Sequence, residues 1–312
     1  VAAATAAGFL FGPLRSTSVR TFRTLPADRP DPDTLPDWCD VDVRSIPAVP
    51  EWCIETFSDP GDAVIDPFAG FGTTIAAVDR LDRDGYGIER DPRRVAYVRD
   101  RVEHPRRVVV GDARDGRSAF ITDASADREG FISSDGSKRK SLINGDDDEE
   151  DHEGGGVDPP SFDLCCTAPP FMLDWMDTDP FEGYDADGSY EAYLDDATVA
   201  FEAIADLLAP DAVAAVEVSN VRFGPGVSTL AWDLADAVDD ADGLRFRTEI
   251  VLGFEDGDGR VEDDVDRDDG SRVDAGNRAV DAADDDRTWS PETGRYGYGY
   301  DHCYCLVFDR DA

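Results

Sequence analysis

The sequence predicts an α/β fold: one domain around a central, mainly parallel sheet, with helices on both faces. Three observations carry this. Short apolar runs alternate with amphipathic helical stretches between residues 50 and 110, a βαβαβ succession. A glycine-rich turn joins the first of those runs to the helix after it. Two late apolar runs, Phe246–Gly253 and Cys303–Phe308, predict closing strands, one of them antiparallel near the end of the sheet.

The elements follow in order. Residues 1–45 are rich in Pro and Asp and weakly periodic, and are expected to form an extension with some local structure before a domain at 46–312. A helix is expected from near Pro50 through Trp52, Ile54 and Phe57. Ala63–Asp66 reads as a buried strand, Phe68–Gly72 as the turn, and Thr73 or Thr74 as the start of a helix with Ile75, Ala76 and Val78 on its apolar side. Gly85–Glu89 reads as a second strand. Pro92 suits the first turn of a helix running through Val95, Val98 and Val102. Arg107–Val110 reads as a third strand.

Residues 114–160 interrupt the pattern with the acidic stretch Asp146–Glu153 and three glycines, and read as an insertion. Strand character returns at Phe162–Cys166. Glu191–Leu208 reads as a helix, Pro210-Asp211 as a turn, Val213–Val218 as a strand and Val227–Val238 as a helix. A second acidic insertion is expected at Glu255–Arg287.

Composition limits the function classes. The 312 residues carry 70 Asp plus Glu against 30 Lys plus Arg, a net charge of −40, and Lys138 and Lys140 are the only lysines. A disordered acidic chain, a surface adapted to high salt and a nucleic-acid mimic all fit that charge. Apolar runs recur between the acidic ones, which argues against wholesale disorder. A folded core under a carboxylate-rich, lysine-poor surface fits a salt-loaded cytoplasm, where molar salt shortens the screening length to about 3 Å. Six cysteines contain no CxxC pair, and the three histidines are scattered, so no metal site is expected and the cysteines read as small buried apolar residues. No apolar run approaches the roughly 18 residues needed to span a bilayer. The opening VAAATAAGFLFGP has no basic residue ahead of its apolar stretch, and a cytoplasmic location without membrane contact is expected.

Four motifs carry chemistry. In Asp66-Pro67-Phe68-Ala69-Gly70-Phe71-Gly72-Thr73-Thr74, glycines after a strand let the backbone approach a ligand, and the next helix turns its N-terminus toward an anionic group. Glu89 closes the second strand 19 residues beyond Gly70, the spacing of an acid that accepts from ribose hydroxyls; a solvated surface acid is the alternative. Asp112 follows the third strand and is either an acceptor for an adenine amine or a helix N-cap. Thr167-Ala168-Pro169-Pro170-Phe171 follows the fourth. A diproline fixes its backbone, so that a carbonyl can face a ligand and the aromatic can stack on a base; a structural turn is the alternative.

Together, DPFAGFGTT, GYGIERD, VVVGDA and TAPPF resemble the amino-methyltransferases that modify adenine N6 or cytosine N4 in DNA, whose motif reads (Asp/Asn/Ser)-Pro-Pro-(Tyr/Phe). Ile46-Pro47-Ala48-Val49-Pro50 is similar to the family's segment that closes over the cofactor, and the last strand also resembles the family's. The resemblance covers residues 45–113, 161–254 and that strand. It implies a Rossmann-like S-adenosylmethionine-dependent methyltransferase fold with S-adenosyl-L-methionine as cofactor. Asp66, Phe68, Gly70, Gly72 and Thr73 would shape the methionine end, Glu89 would hold the ribose and Asp112 the adenine. Ala168, Pro169, Pro170 and Phe171 would form the catalytic loop. The implied partner is nucleic acid, DNA ahead of RNA. A transferase for a guanine amine in tRNA, an enzyme acting on a protein or small-molecule amide, and a module that binds without transferring are the alternatives. The last arises because Ala168 stands where the family places an acceptor for the target amine, and alanine cannot accept. Thr167 or Asp174 are the candidate substitutes.

Overall fold

The computed structural model describes residues 22–26, 30, 34–39, 44–122, 159–183, 186–223, 226–255 and 302–311. Its centre is an eight-stranded sheet. The strands are β1 (Phe22–Pro26), β2 (Ala63–Asp66), β3 (Asp84–Glu89), β4 (Val108–Val110), β5 (Phe162–Thr167), β6 (Leu208–Val218), β9 (Leu244–Glu255) and β10 (His302–Arg310). The pair β7 (Val221–Phe223) and β8 (Gly226–Ser228) forms a separate small hairpin. The helices are α1 (Ala48–Phe57), α2 (Thr73–Arg80), α3 (Pro92–Arg99), α4 (Arg117–Thr122), α5 (Tyr190–Ala205) and α6 (Leu230–Asp239).

Across the sheet the order is β1-β9-β10-β6-β5-β2-β3-β4. Strands β6, β5, β2, β3 and β4 are mutually parallel, and β10 alone runs against its neighbours β6 and β9. This is the Rossmann-like α/β sheet expected, with its antiparallel strand near the end. The chain steps outward one way through β2, β3 and β4 and the other way through β5 and β6. The order therefore reverses between β2 and β5, where an open parallel sheet leaves a crevice at its carboxyl edge.

Alternate strand residues feed two cores, as the two-residue side-chain period requires. Ile65, Cys165, Ala214, Val216 and Leu306 pack with Phe120, Phe201, Leu234 and Val238 of α4, α5 and α6. Val64, Leu164, Cys166, Ala215 and Cys305 pack on the opposite face with Cys53 and Ile54 of α1 and Ala77 and Val78 of α2. Five of the six cysteines are buried as free thiols in these layers.

Several expectations are corrected. Helix α1 begins at Ala48, two positions before Pro50, because Pro47 already adopts helical angles as its cap. Helix α3 ends at Arg99, so Val102 lies outside it. The first insertion starts later than residue 114, since Ala113–Asp115 form a 3-10 turn and Arg117–Thr122 a helix that buries Ala119 and Phe120. Asp146–Glu153 and most of the second insertion fall outside the described residues. Pro210-Asp211 is no turn between elements. Strand β6 starts at Leu208 and absorbs the pair as an irregularity between the pairings Phe162–Leu208 and Leu164–Val213, with Asp211 at φ 69°. Gly226–Ser228 form a strand, so α6 begins at Leu230 and not at Val227. Residues 22–26 of the expected extension pair with β9 as an edge strand, so the sheet extends back beyond residue 46.

Candidate active site

A cavity of about 800 Å³ opens at the carboxyl edge of the sheet, across the point where the strand order reverses. That volume falls within the range of small-molecule and cofactor pockets. Asp66, Phe68, Gly70, Thr73, Glu89, Asp112 and the whole loop Ala168-Pro169-Pro170-Phe171 line it. Of the residues expected at the site, Gly72 alone does not. Its φ of 79° makes the bend into α2, and a Cβ there would meet Val98 at 2.8 Å, so its glycine serves the turn and the contact with α3.

Asp66 ends β2 and is 3% exposed. Its Oδ1 accepts from the Thr167 hydroxyl at 2.6 Å and from the Phe68 amide at 3.1 Å. Burial pushes its carboxyl up to about 6, against the bonds from Thr167, Thr74 and Phe68, which pull it down. From its ordinary 3.8, that shift means the folded chain holds the proton more tightly than the unfolded chain does. Stability is therefore lost as pH rises through this window and the charge must be buried. The cost at neutral pH is about 3 kcal/mol at 1.36 kcal/mol per unit. Asp66→Asn, which keeps an acceptor oxygen without charge, is expected to erase this cost. Denaturant titrations at high salt should show the variant's advantage over the parent growing between about pH 4 and pH 6 and then levelling. An advantage that does not vary with pH would contradict this origin.

Glu89 ends β3 and accepts from the Gly70 amide at 2.9 Å and the Asp91 amide at 2.7 Å. The acid of the second strand thus holds the glycine turn of the first, while the Ala69 amide donates to the Ile88 carbonyl at 2.9 Å. Burial raises the Glu89 carboxyl despite these bonds and the nearby Arg94. A surface acid would not be placed this way. Each of its oxygens makes only one of these amide bonds, which leaves acceptor capacity toward the cavity.

Asp112 caps the 3-10 turn through the Arg114 amide at 2.9 Å and binds the Arg114 guanidinium at 2.6 Å. Burial raises its carboxyl, but the Arg114 bonds outweigh it and leave it lowered. The N-cap reading therefore describes its local contacts, and it also lines the cavity. Arg114 reaches on to Glu182 at 2.7 Å and Asp196 at 2.9 Å, tying β4 to α5 and to the segment before it.

The diproline loop is fixed from α5, where the Tyr193 hydroxyl donates to the Pro170 carbonyl at 3.0 Å. Neither Thr167 nor Asp174, the candidate substitutes for an acceptor at 168, lines the cavity: Thr167 is 2% exposed with its hydroxyl donating to Asp66, and Asp174 is exposed.

Sequence reasoning missed several cavity residues. Trp38 stacks on Phe71 at 5.8 Å, and Arg93 lies 4.8 Å over the Trp38 ring. Arg94 lies 5.0 Å from the Phe71 ring, and its buried Nε has no hydrogen-bond partner. Glu217, at the end of β6, lines the cavity at 7% exposure. Only the pattern DWCD around Trp38, an aromatic isolated in an acidic stretch, carried any local signal. Among the described residues no group of three His, Cys, Asp or Glu could hold a metal ion, and no helix is long and apolar enough to cross a membrane.

Residues 47–100 match the family model described as DNA methylase, of the N6/N4 methyltransferase type. The match spans α1 to α3, takes in Asp66, the glycine turn and Glu89, and stops before Asp112 and the diproline loop. It bears out the resemblance carried by the sequence motifs. No curated protein matches the chain. Among solved structures, TrmN from Thermus thermophilus is similar at 14% identity and a TM-score of 0.43, over 85% of this chain and 49% of its own. The chain thus spans about half the length of that protein. A methyltransferase from Pyrococcus furiosus is similar at 13% identity and a TM-score of 0.41, over 88% of this chain and 91% of its own. A TehB-like SAM-dependent methyltransferase from Corynebacterium glutamicum gives 14% identity and a TM-score of 0.40, over 87% and 90%.

Proposed function

We propose, from the premise that residues 47–100 carry the signature of DNA methylases, that this chain transfers a methyl group from S-adenosyl-L-methionine to an exocyclic amine of a nucleic-acid base, in DNA ahead of RNA. One observation carries the proposal. A single cavity joins the glycine turn, the acids ending β2 and β3 and following β4, and the diproline loop.

The residues present fit that cofactor. Glu89 has acceptor capacity for ribose hydroxyls, and Asp112 stands one strand further out for the adenine amine. The turn from Asp66 to Thr73 suits the methionine end, and the unpartnered Arg94 Nε adds a donor. When bound, S-adenosyl-L-methionine supplies an electrophilic methyl on a sulfonium. The chain's own part is positioning: Tyr193 holds the loop, Phe171 stacks a base taken out of its helix, and the Pro169 carbonyl faces its amine. The match of residues 47–100 to a DNA methylase model supports ranking DNA ahead of RNA.

Asp66→Ala and Glu89→Ala should each weaken S-adenosyl-L-methionine binding by about 1–3 kcal/mol, since each leaves buried donors unpaired as well as losing a ligand contact. Titration calorimetry with folded variants checks this, and unchanged affinity in both would remove the site. Transfer of labelled methyl to DNA, RNA and protein, assayed side by side at high salt, tests the function. Label in DNA is the expected result, and label only in protein would overturn the reading.

A further inference from the structure

The diproline loop lacks the side chain that should accept from the target amine, and the fold offers a replacement one strand away. Ala168 follows β5 and Glu217 lies near the end of β6. The two strands are parallel, with Thr167 paired to Val216. Ala168 and Glu217 each follow that pair by one residue. Both residues line the cavity.

Six carboxylates line that cavity: Asp66, Glu89, Asp91, Asp112, Glu182 and Glu217. Glu217 is the one carried by the strand next to the loop on the side away from β2, β3 and β4, where the glycine turn and the acids for the cofactor stand. Glu217 is 7% exposed, and its side chain is longer than the Asp, Asn or Ser that the motif of the resembled family carries at the position of Ala168.

We propose that Glu217 takes the role vacated at Ala168, accepting a hydrogen bond from the target amine and then its proton. The inference rests on the proposed methyl transfer. The exocyclic nitrogen donates its lone pair to form the N–C bond while the C–S bond breaks, and that electron pair goes to sulfur and cancels the sulfonium charge. The nitrogen, now cationic, releases one proton to the Glu217 carboxylate. The pair Ala168 and Glu217 thus moves the acceptor from the loop to the neighbouring strand.

The test is single-turnover transfer of labelled methyl to DNA and RNA oligonucleotides at molar salt, with S-adenosyl-L-methionine affinity measured by calorimetry on the same samples. Glu217→Gln keeps the shape of the side chain and cannot take the proton. It should slow transfer by on the order of 100-fold, with cofactor affinity within about twofold of the parent. Adding Ala168→Asp to that variant should recover at least about tenfold, which a merely structural loss would not allow. Equal rates in parent and Glu217→Gln would overturn the inference and leave the methyl-transfer reading standing. A fall in cofactor affinity that matches the fall in rate would also overturn it, assigning Glu217 to the cofactor. A parent that labels no base would overturn both.

Discussion

Moved from molar salt into dilute buffer, the protein is expected to lose its α/β circular dichroism signal. The net charge of −40 is the cause. At about 1 M salt the screening length is near 3 Å and carboxylates on neighbouring turns scarcely interact; at about 0.01 M it is near 30 Å and the whole surface repels itself. Among the described residues several cations are already engaged. Arg80 pairs with Glu51, Arg107 with Asp84, Arg245 with Asp311 and Arg247 with Asp309, while Arg114 serves three acids at once. Exposed pairs of this kind contribute little individually, so they do not offset the surplus of acids. A spectrum unchanged across that range would reject the salt-adapted reading of the charge and favour nucleic-acid mimicry.

Phe171→Ala is expected to cut methyl transfer by roughly 5- to 150-fold, the equivalent of the 1–3 kcal/mol that stacking contributes per base. Affinity for S-adenosyl-L-methionine should stay nearly unchanged. The loop should survive the substitution, because the Tyr193 hydroxyl holds the Pro170 carbonyl and the two prolines restrict its backbone. Single-turnover transfer measured beside cofactor calorimetry separates the two effects. Full activity in Phe171→Ala would remove the base-stacking role, and with it Ala168–Phe171 as the catalytic loop.

The elements around the glycine turn were legible because their signals are local. Ala63–Asp66 is a short apolar run closed by an acid, and Thr73 starts a helix immediately after two glycines at φ 53° and 79°. Strand β1 was not legible. Its sequence FRTLP has no clean alternation, and its strand state comes from pairing with β9, more than two hundred residues away. Pro210-Asp211 is a strong turn signal that predicts a shorter β6, whereas the sheet accommodates the pair as an irregularity. The short strands Val221–Phe223 and Gly226–Ser228 carry no strand signal of their own, and only Gly224-Pro225-Gly226 in the sequence marks a turn there.

The site divides in the same way. Asp66, Glu89 and Asp112 end or follow consecutive strands, so their order in the chain places them side by side at one edge. Trp38, Tyr193 and Glu217 reach the same cavity from elements whose partners no local pattern specifies. Asp112 illustrates the overlap of roles: the capping bond and the place in the cavity lining, which spacing alone left as alternatives, belong to one residue.

The central claim is that a methyl group reaches an exocyclic amine of a base, and the identity of the methylated nucleoside tests it most directly. DNA incubated with the protein and S-adenosyl-L-methionine at molar salt, digested to nucleosides and resolved by mass spectrometry against standards, should contain N6-methyladenine or N4-methylcytosine. Methyl found instead on a ring carbon, or no methylated nucleoside from DNA or from RNA treated in parallel, would contradict the account.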